Sequence, residues 1–529
     1  MTLQPVLIDG EWREAESPSG FFTAFDPKTG SPLDEHYPIS SFADLERALA
    51  AGRRAAGILE SAHPDAVAEF LEESARRIVA RSTELAKSAA RETALPIEPR
   101  LHSVEIPRTV DQLRQAAVAC RDRSWRRATI DTRLNIRSRM APLGGPVVIF
   151  GPSNFPFAFN SVAGGDFAAA IAAGNPVIAK ANPVHPGTTR LLAETVMDAA
   201  RSTGFPPAAV QLLYHFSGQD GARLVSHPLT GATAFTGSFR AGTYLKEAAD
   251  RVGKPIYLEM SSVNPLFVLP GAIEERSGEV VDELFNSCAL GAGQFCTKPG
   301  LVVVIGDERG RDFFESARTA FETPPTGWLL SEAVLKGLSR TVDKFREAGA
   351  ELVCGGSPVE GPGWKFRNTL LRTDGKRFLE SPSAFQIEVF GTLTVFVFAD
   401  SENQMIEIAE SAEGGLTAVL YSSREGRDDA LYDRIAPILR RKVGRLLDDK
   451  MPTGVAVTPA MNHGGPFPST GHPGFTAVGL PASMLRFASL HCYDNVRKHR
   501  LPDDLRDKNP TGSMWRLIDG VWTQADAYL

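Results

Sequence analysis

The chain opens with an apolar triplet, Val6-Leu-Ile8, and a second short run around Trp12, separated by Asp9-Gly10. Asp-Gly between apolar residues predicts a hairpin closed by a type I′ turn, which needs positive φ at both turn positions. Leu517-Ile-Asp-Gly-Val-Trp522 echoes the pattern near the other end and predicts a second hairpin; no long repeat joins the two. From Ser41 to about Val118 apolar residues recur at three and four, as in Phe42 to Ser61 and Pro64 to Glu92, which predicts helices. Between Ala128 and Met140 the period changes to two. Ile130, Thr132, Leu134 and Ile136 alternate with Asp131, Arg133, Asn135 and Arg137. That predicts one strand with a polar face, part of a subunit-bridging arm.

A series of α/β units follows. Val147-Val-Ile-Phe150 reads as a buried strand before a helix near Val162 to Ala173. Pro176 to Ala179 is the next strand, with a helix from Thr188 to Thr203, and Val210 to Tyr214 and Ala232 to Phe235 continue the alternation. Strands alternating with helices imply a parallel, doubly wound sheet whose ligands bind at the strands' carboxyl ends. A second series runs through Pro265 to Leu269, Leu301 to Ile305 and Thr392 to Phe398, so the seam between the two falls near residues 259–265. The segment from Leu501 onward is charged and contains Pro, and is expected to pack on the surface.

Composition narrows the picture by exclusion. With 43% hydrophobic and 23% charged residues the chain is globular, and a net charge of -6 removes the basic footprint of a nucleic-acid binder. Five cysteines make disulfide scaffolding a poor explanation and a reducing compartment the expected one. The first ten residues lack the basic and apolar regions of a signal peptide. The apolar stretches Phe167 to Ala173 and Leu301 to Ile305 are far shorter than the roughly 18 residues of a membrane helix. A soluble cytoplasmic protein is expected, with no membrane and no nucleic-acid partner.

Phosphate-loop, zinc-protease, C-x-x-C and nucleophile-elbow signatures are absent, and no His or Cys spacing supports a metal. Four segments carry possible chemistry. Thr236-Gly-Ser238 lies between a strand and a helix whose amino terminus could attract a phosphate. Cys296 follows Leu290-Gly-Ala-Gly-Gln-Phe295, where glycines let backbone amides converge on a reacting atom. Glu259 ends an apolar strand before Met260-Ser-Ser-Val-Asn-Pro265 and could serve as a general base. Asn154 sits between two prolines in Gly151-Pro-Ser-Asn-Phe-Pro-Phe157, at a strand's carboxyl end. Each has an ordinary explanation by itself: a capped turn, an inert buried thiol, a solvated strand end, a turn-forming Asn.

In this order the four segments resemble the aldehyde dehydrogenase superfamily, over most of the chain from Ile8-Asp-Gly-Glu-Trp12 to Asn462-His-Gly-Gly-Pro466. The resemblance implies two doubly wound parallel-sheet domains and a small β oligomerisation arm. Residues 1–127 and 146–260, with a return near 462–483, would bind the dinucleotide, and 261–461 would carry the nucleophile. Residues 128–145 and 484–500 would form the arm, and 501–529 a surface tail. It also implies Cys296 as nucleophile, Glu259 as general base and Asn154 as oxyanion donor. Lys180, Asn182 and Pro183 would meet the adenosine ribose, and Thr236, Gly237 and Ser238 the pyrophosphate. Glu388 and Phe390, in Glu388-Val-Phe-Gly391, would meet the nicotinamide ribose. Phe150, Pro152, Ser153, Gly218, Gly221 and Met260 would complete the cofactor site, and Phe155, Phe159, Phe295 and Phe467 would line the substrate pocket.

That set oxidises an aldehyde through a thiohemiacetal and a thioester, and a base for the hydrolytic water argues against a CoA-acylating relative. Ser-Ser-Val-Asn after Met260 and Thr392 after Gly391 depart from the commonest pattern. They resemble the α-ketoglutarate semialdehyde (2,5-dioxopentanoate) dehydrogenase branch, with NADP-linked fatty aldehyde dehydrogenases as near relatives. Pro183 stands where NAD-using members carry a glutamate, which implies that NADP is accepted at least as well as NAD, with His185 and Arg223 as candidate 2′-phosphate partners. A homodimer or homotetramer is implied. A catalytically silent member of the fold and a cofactor-free Cys esterase are the competing readings.

Overall fold

The computed structural model describes residues 2–325 and 327–527. Seven strands form a first sheet in the order Ile256–Glu259, Ala232–Thr236, Val147–Phe150, Val177–Lys180, Val210–Leu213, Val6–Ile8, Glu11–Arg13. The first five are parallel; the amino-terminal hairpin joins antiparallel, Leu7 opposite Leu212. Asp9 and Gly10 both take positive φ, 58° and 80°, as a type I′ turn requires. Every residue of Val147–Phe150 and Val210–Leu213 is buried, which is why these strands read as apolar runs without alternation. The helical period over 64–92 divides into Pro64–Ala80 and Ser82–Thr93, with Arg81 capping both.

The second sheet runs Glu351–Cys354, Thr369–Asp374, Leu393–Ala399, Leu301–Ile305, Pro265–Val268, Gly415–Tyr421, Val443–Asp448, parallel except for the first strand. Successive residues alternate between two buried clusters. Phe267, Val303 and Val395 pack on one face, and Leu266, Val302 and Phe396 on the other. The chain crosses between sheets from Glu259 to Pro265. The carboxyl ends of the first sheet's parallel strands thereby meet loops that lead into the second sheet.

The arm differs from its expected form. The 128–140 alternation is a hairpin, Thr129–Asp131 against Ile136–Pro142, and not one strand. Asp131 causes the reversal: its carboxylate accepts the Leu134 amide at 2.8 Å, and Asn135 takes a φ of 53°. The tail is also part of this sheet, whose order is Ala488–Asp494, Ile136–Pro142, Thr129–Asp131, Arg516–Ile518, Val521–Thr523. Leu517 and Ile518 pair in parallel with Thr129 and Ile130. The tail's charges answer the arm's polar face. Arg137, 1% exposed, pairs with Asp507 at 2.7 Å, and Asp504 accepts from Arg126 at 2.8 Å and from Arg139. Alternation alone marked that face as polar; the tail covers it. Among the described residues no helix is long and apolar enough to cross a membrane.

Candidate active site

A cleft of about 400 Å³ opens where the two sheets face each other. From the first sheet it is lined by the Pro152–Phe155 loop after Val147–Phe150, by Thr236, Gly237 and Ser238 after the next strand, and by Glu259 and Met260. Cys296 and the Glu388–Phe390 loop enter from the second sheet, with Val334, Leu338 and Thr341 of helix Glu332–Glu347 between them.

The Cys296 loop is shaped by three consecutive left-handed residues, Gly291, Ala292 and Gly293, at φ of 58°, 55° and 73°. Gly293 admits no side chain: a Cβ there would lie 2.1 Å from the carbonyl carbon of Gly391, so the two loops touch backbone to backbone. Asn264, also left-handed at φ 57°, donates its side-chain amide to the carbonyls of Cys296 at 2.8 Å and Lys298 at 3.0 Å. The Cys296 loop is thus held by its carbonyls, and Cys296 lines the cleft. Cys288, by contrast, is 0% exposed on helix Pro270–Ala289, inside the core.

Two buried groups meet Cys296. Glu259 is 1% exposed, and His463, equally buried, places Nε2 2.9 Å from Glu259 Oε1 and 3.7 Å from Cys296 Sγ. Burial pushes the Cys296 thiol well above its ordinary value, and the Glu259 charge and hydrogen bond push it further. The shift favours the protonated thiol, and the Glu259 carboxylate lies within 4.8 Å of the sulfur. Glu259 Oε2 and His463 Nδ1 are buried without partners. The three donor atoms lie within 4.8 Å of one another, a spacing that would also suit a metal ion, though no Cys or His spacing announces one. His463 was missed as a functional residue; its only signal was a histidine beside two glycines in the 462–466 segment. Asn154, 6% exposed, lines the same cleft and donates one amide hydrogen to the Gln294 carbonyl at 2.8 Å.

On the dinucleotide side, Ser238, which lines the cleft, caps helix Phe239–Asp250 by accepting the Ala241 amide at 3.4 Å, so the helix starts at the cleft's edge. Lys180 ends its strand with an amine that burial alone pushes down to about 8. Burial pushes Glu388 up to about 7, against hydrogen bonds from Ser261 and the Ser262 amide. Asn182 lines the cleft, its side chain bound to the Gly151 carbonyl at 3.1 Å. Phe150, 9% exposed, packs on Phe216 and Phe235, and Gly218 and Gly221 lie on helix Gly218–Val225, outside the cleft lining.

Three expected positions differ. His185 is 1% exposed with Nε2 on the Pro152 carbonyl at 3.0 Å, so it faces inward and cannot meet a 2′-phosphate. Arg223 stacks on Phe42 at 3.3 Å and pairs with Asp220 at 3.3 Å, so its charge is already engaged. Phe467 is 64% exposed and packs on Phe239, because backbone ties to Gly414 and Met260 turn this segment's side chain outward. Phe155 and Phe159 line the cleft, and Phe295 supports them edge-on, 5.4 Å from Phe155.

Residues 12–438 match the family described as "Aldehyde dehydrogenase family". The chain belongs to this family. It is an oxidoreductase that oxidises aldehydes with NAD(P). Relatives in the family include alpha-ketoglutaric semialdehyde dehydrogenase 2 of Azospirillum brasilense, 38% identical over 95% of this chain and 96% of that one. The alpha-ketoglutaric semialdehyde dehydrogenase of Acinetobacter baylyi is 36% identical over 86% and 87%. Among solved structures, aldehyde dehydrogenase C of Pseudomonas syringae, a mutant complexed with NAD+ and octanal, superposes with TM-score 0.79 at 24% identity, covering 93% of this chain and 97% of that one. At that identity the likeness speaks for the aldehyde dehydrogenase fold.

Proposed function

We propose that this aldehyde dehydrogenase oxidises 2,5-dioxopentanoate, the semialdehyde of 2-oxoglutarate, to 2-oxoglutarate. The observation that carries the substrate is the 38% identity, over nearly the full length of both chains, to a relative named for that aldehyde. The Cys296–His463–Glu259 cluster carries the mechanism. The Cys296 thiol gives its proton up to water in the cleft, while the Glu259 carboxylate stays within 4.8 Å of the sulfur. With its proton on Nε2, His463 then faces both the carboxylate and the new thiolate, steadying the sulfur as it attacks the aldehyde carbon. The oxyanion forms beside the second amide hydrogen of Asn154 and the Cys296 backbone N–H. NAD(P), when bound, supplies the hydride acceptor. Glu259, a carboxylate, takes a proton from the water that attacks the thioester, and that proton goes on to the departing Cys296 sulfur; Oε2 is its free oxygen.

The residues fit a dinucleotide. Lys180 holds a half-buried amine that pairs with no carboxylate among the described residues, Ser238 caps a helix at the cleft, and the Glu388 carboxylate faces the cleft. At position 183 a proline removes the carboxylate that would repel a 2′-phosphate, so NADP is used at least as well as NAD. With His185 and Arg223 engaged elsewhere, absent repulsion supports this rather than a dedicated partner. Pro183→Glu shifts the kcat/KM ratio towards NAD through the KM for NADP; an unchanged ratio would show that the 2′ position is read elsewhere. The arm supports a homodimer or homotetramer, because its Ala488–Asp494 edge strand exposes Leu490 at 67% and the far edge exposes Trp522 at 53%. Light scattering at micromolar concentration tests this, a monomer being the refuting result.

The decisive experiment follows reduced-cofactor absorbance over an aldehyde panel. 2,5-Dioxopentanoate has a higher kcat/KM than unsubstituted pentanal. Long-chain aldehydes exceeding the dioxo-acid by an order of magnitude would assign the enzyme to fatty aldehydes instead.

A further inference from the structure

Helix Ile106–Asp122 packs one cation against the aromatic wall of the cleft. The Arg108 guanidinium carbon lies 5.2 Å from the Phe159 ring centre and 5.5 Å from that of Phe155, the two phenylalanines that line the cleft beside Cys296. Its Nε and Nη2 are sealed from solvent with no hydrogen-bond partner, and among the described residues Arg108 has no ion pair. Only Nη1 stays open. A guanidinium whose sealed nitrogens make no hydrogen bond is costly, so its presence calls for an anion that arrives from outside.

We infer that Arg108 binds the carboxylate of the substrate and is the residue by which the enzyme selects an oxo-acid semialdehyde over a neutral aldehyde; this rests on the substrate reading above. The geometry supports it. Phe159 lies between Arg108 and the reacting group, since its ring is 5.7 Å from the His463 ring, whose Nε2 is 3.7 Å from Cys296 Sγ. A five-carbon chain measures about 5 Å from aldehyde carbon to carboxylate carbon, so it spans one phenyl ring. Burial lowers the guanidinium to about 10, and after the nearer charges of Glu105 and Arg100 it is also within electrostatic reach of Cys296 and Glu259. The neighbouring cations are occupied. Arg100 pairs with Glu105 and donates to the Asn154 carbonyl at 3.0 Å, and Arg445 donates to the Pro452 carbonyl at 3.2 Å. Arg108 alone of the three makes no hydrogen bond.

The test compares kcat/KM for 2,5-dioxopentanoate and pentanal in wild type, Arg108→Met and Arg108→Lys. Loss of a charge-assisted hydrogen bond lowers the acid-to-pentanal ratio by about 10- to 10²-fold in Arg108→Met, chiefly through the acid's KM, with pentanal kinetics retained. Arg108→Lys keeps part of the ratio as a point charge. The competitive inhibition constant for 2-oxoglutarate rises in Arg108→Met, and the Tm holds or increases because an unpaired buried charge has gone. An unchanged ratio in a wild type that prefers the acid would overturn the role of Arg108 alone. Equal loss on both aldehydes with a lowered Tm would make Arg108 structural. A wild type without preference for the acid would overturn the substrate reading, and this inference with it.

Discussion

Replacing Glu259 with Gln changes two quantities in opposite directions. The carboxylate lies within 4.8 Å of the thiol sulfur and the His463 nitrogen, and its second oxygen is buried without a partner. Deacylation loses its base, which lowers steady turnover about 10²- to 10⁴-fold, or about 3–5 kcal/mol at 1.36 kcal/mol per tenfold. The same carboxylate holds the Cys296 proton on, second only to burial in raising the thiol. Removing its charge lets the thiol ionise at lower pH. Rapid-mixing absorbance therefore shows a reduced-cofactor burst of one equivalent per site followed by a stalled steady phase, because the freer thiol still attacks. In parallel, the pH midpoint of iodoacetamide inactivation moves down relative to wild type. A burst lost as completely as the steady rate, or an inactivation midpoint that rises, would refute the assignment of Glu259 as a neighbour whose charge raises the thiol and whose main duty is the water.

Cys296→Ser abolishes aldehyde oxidation but leaves reduced-cofactor binding, read by fluorescence, nearly intact, whereas Cys288→Ala retains turnover; equal loss in both would dismiss Cys296 as nucleophile. Glu388, raised by burial to about 7, binds cofactor as a carboxylate, so affinity falls as pH drops from 8 to 6, and Glu388→Gln flattens that profile. A wild-type affinity constant across that range would count against it. For Asp504, burial favours the neutral acid, but Arg126 and Arg139 outweigh it and hold the carboxyl below its usual range. A depressed carboxyl stabilises the fold above the unfolded value near 3.9 and loses that contribution as pH falls through the folded one. Acid therefore undocks the tail before the sheets unfold, seen as early proteolysis beyond residue 500, and Asp504→Asn brings the same cleavage to neutral pH. Equal protection in wild type and variant would refute the pairing.

Much of the fold was legible because the informative segments are short and chemically loud. Fully buried parallel strands leave apolar runs such as Val147–Phe150, and both Asp-Gly turns announce their hairpins. The arm was misread because Asp131, placed on a polar face by alternation, spends its carboxylate on reversing the chain. The tail's role was invisible because its partners, Arg137 and Arg139, lie more than 360 residues away. At the site, Cys296, Glu259 and Asn154 sit in distinctive local sequence, while His463 arrives from a distant segment and Arg108 from a helix whose period says only that one face is buried. Phe467 shows the converse: an aromatic residue in a suggestive segment, turned outward by backbone contacts that leave no mark in composition.

The missing side chain at Gly293 has a mechanical meaning. Because its backbone rests directly on Gly391, the loop that carries Cys296 and the loop that presents Glu388 behave as two teeth of one gear. Neither can be redesigned, lengthened or borrowed from a relative alone: a transplant of residues 386–392 that ignores 290–296 would strip the mesh, and a productive exchange has to carry both loops together.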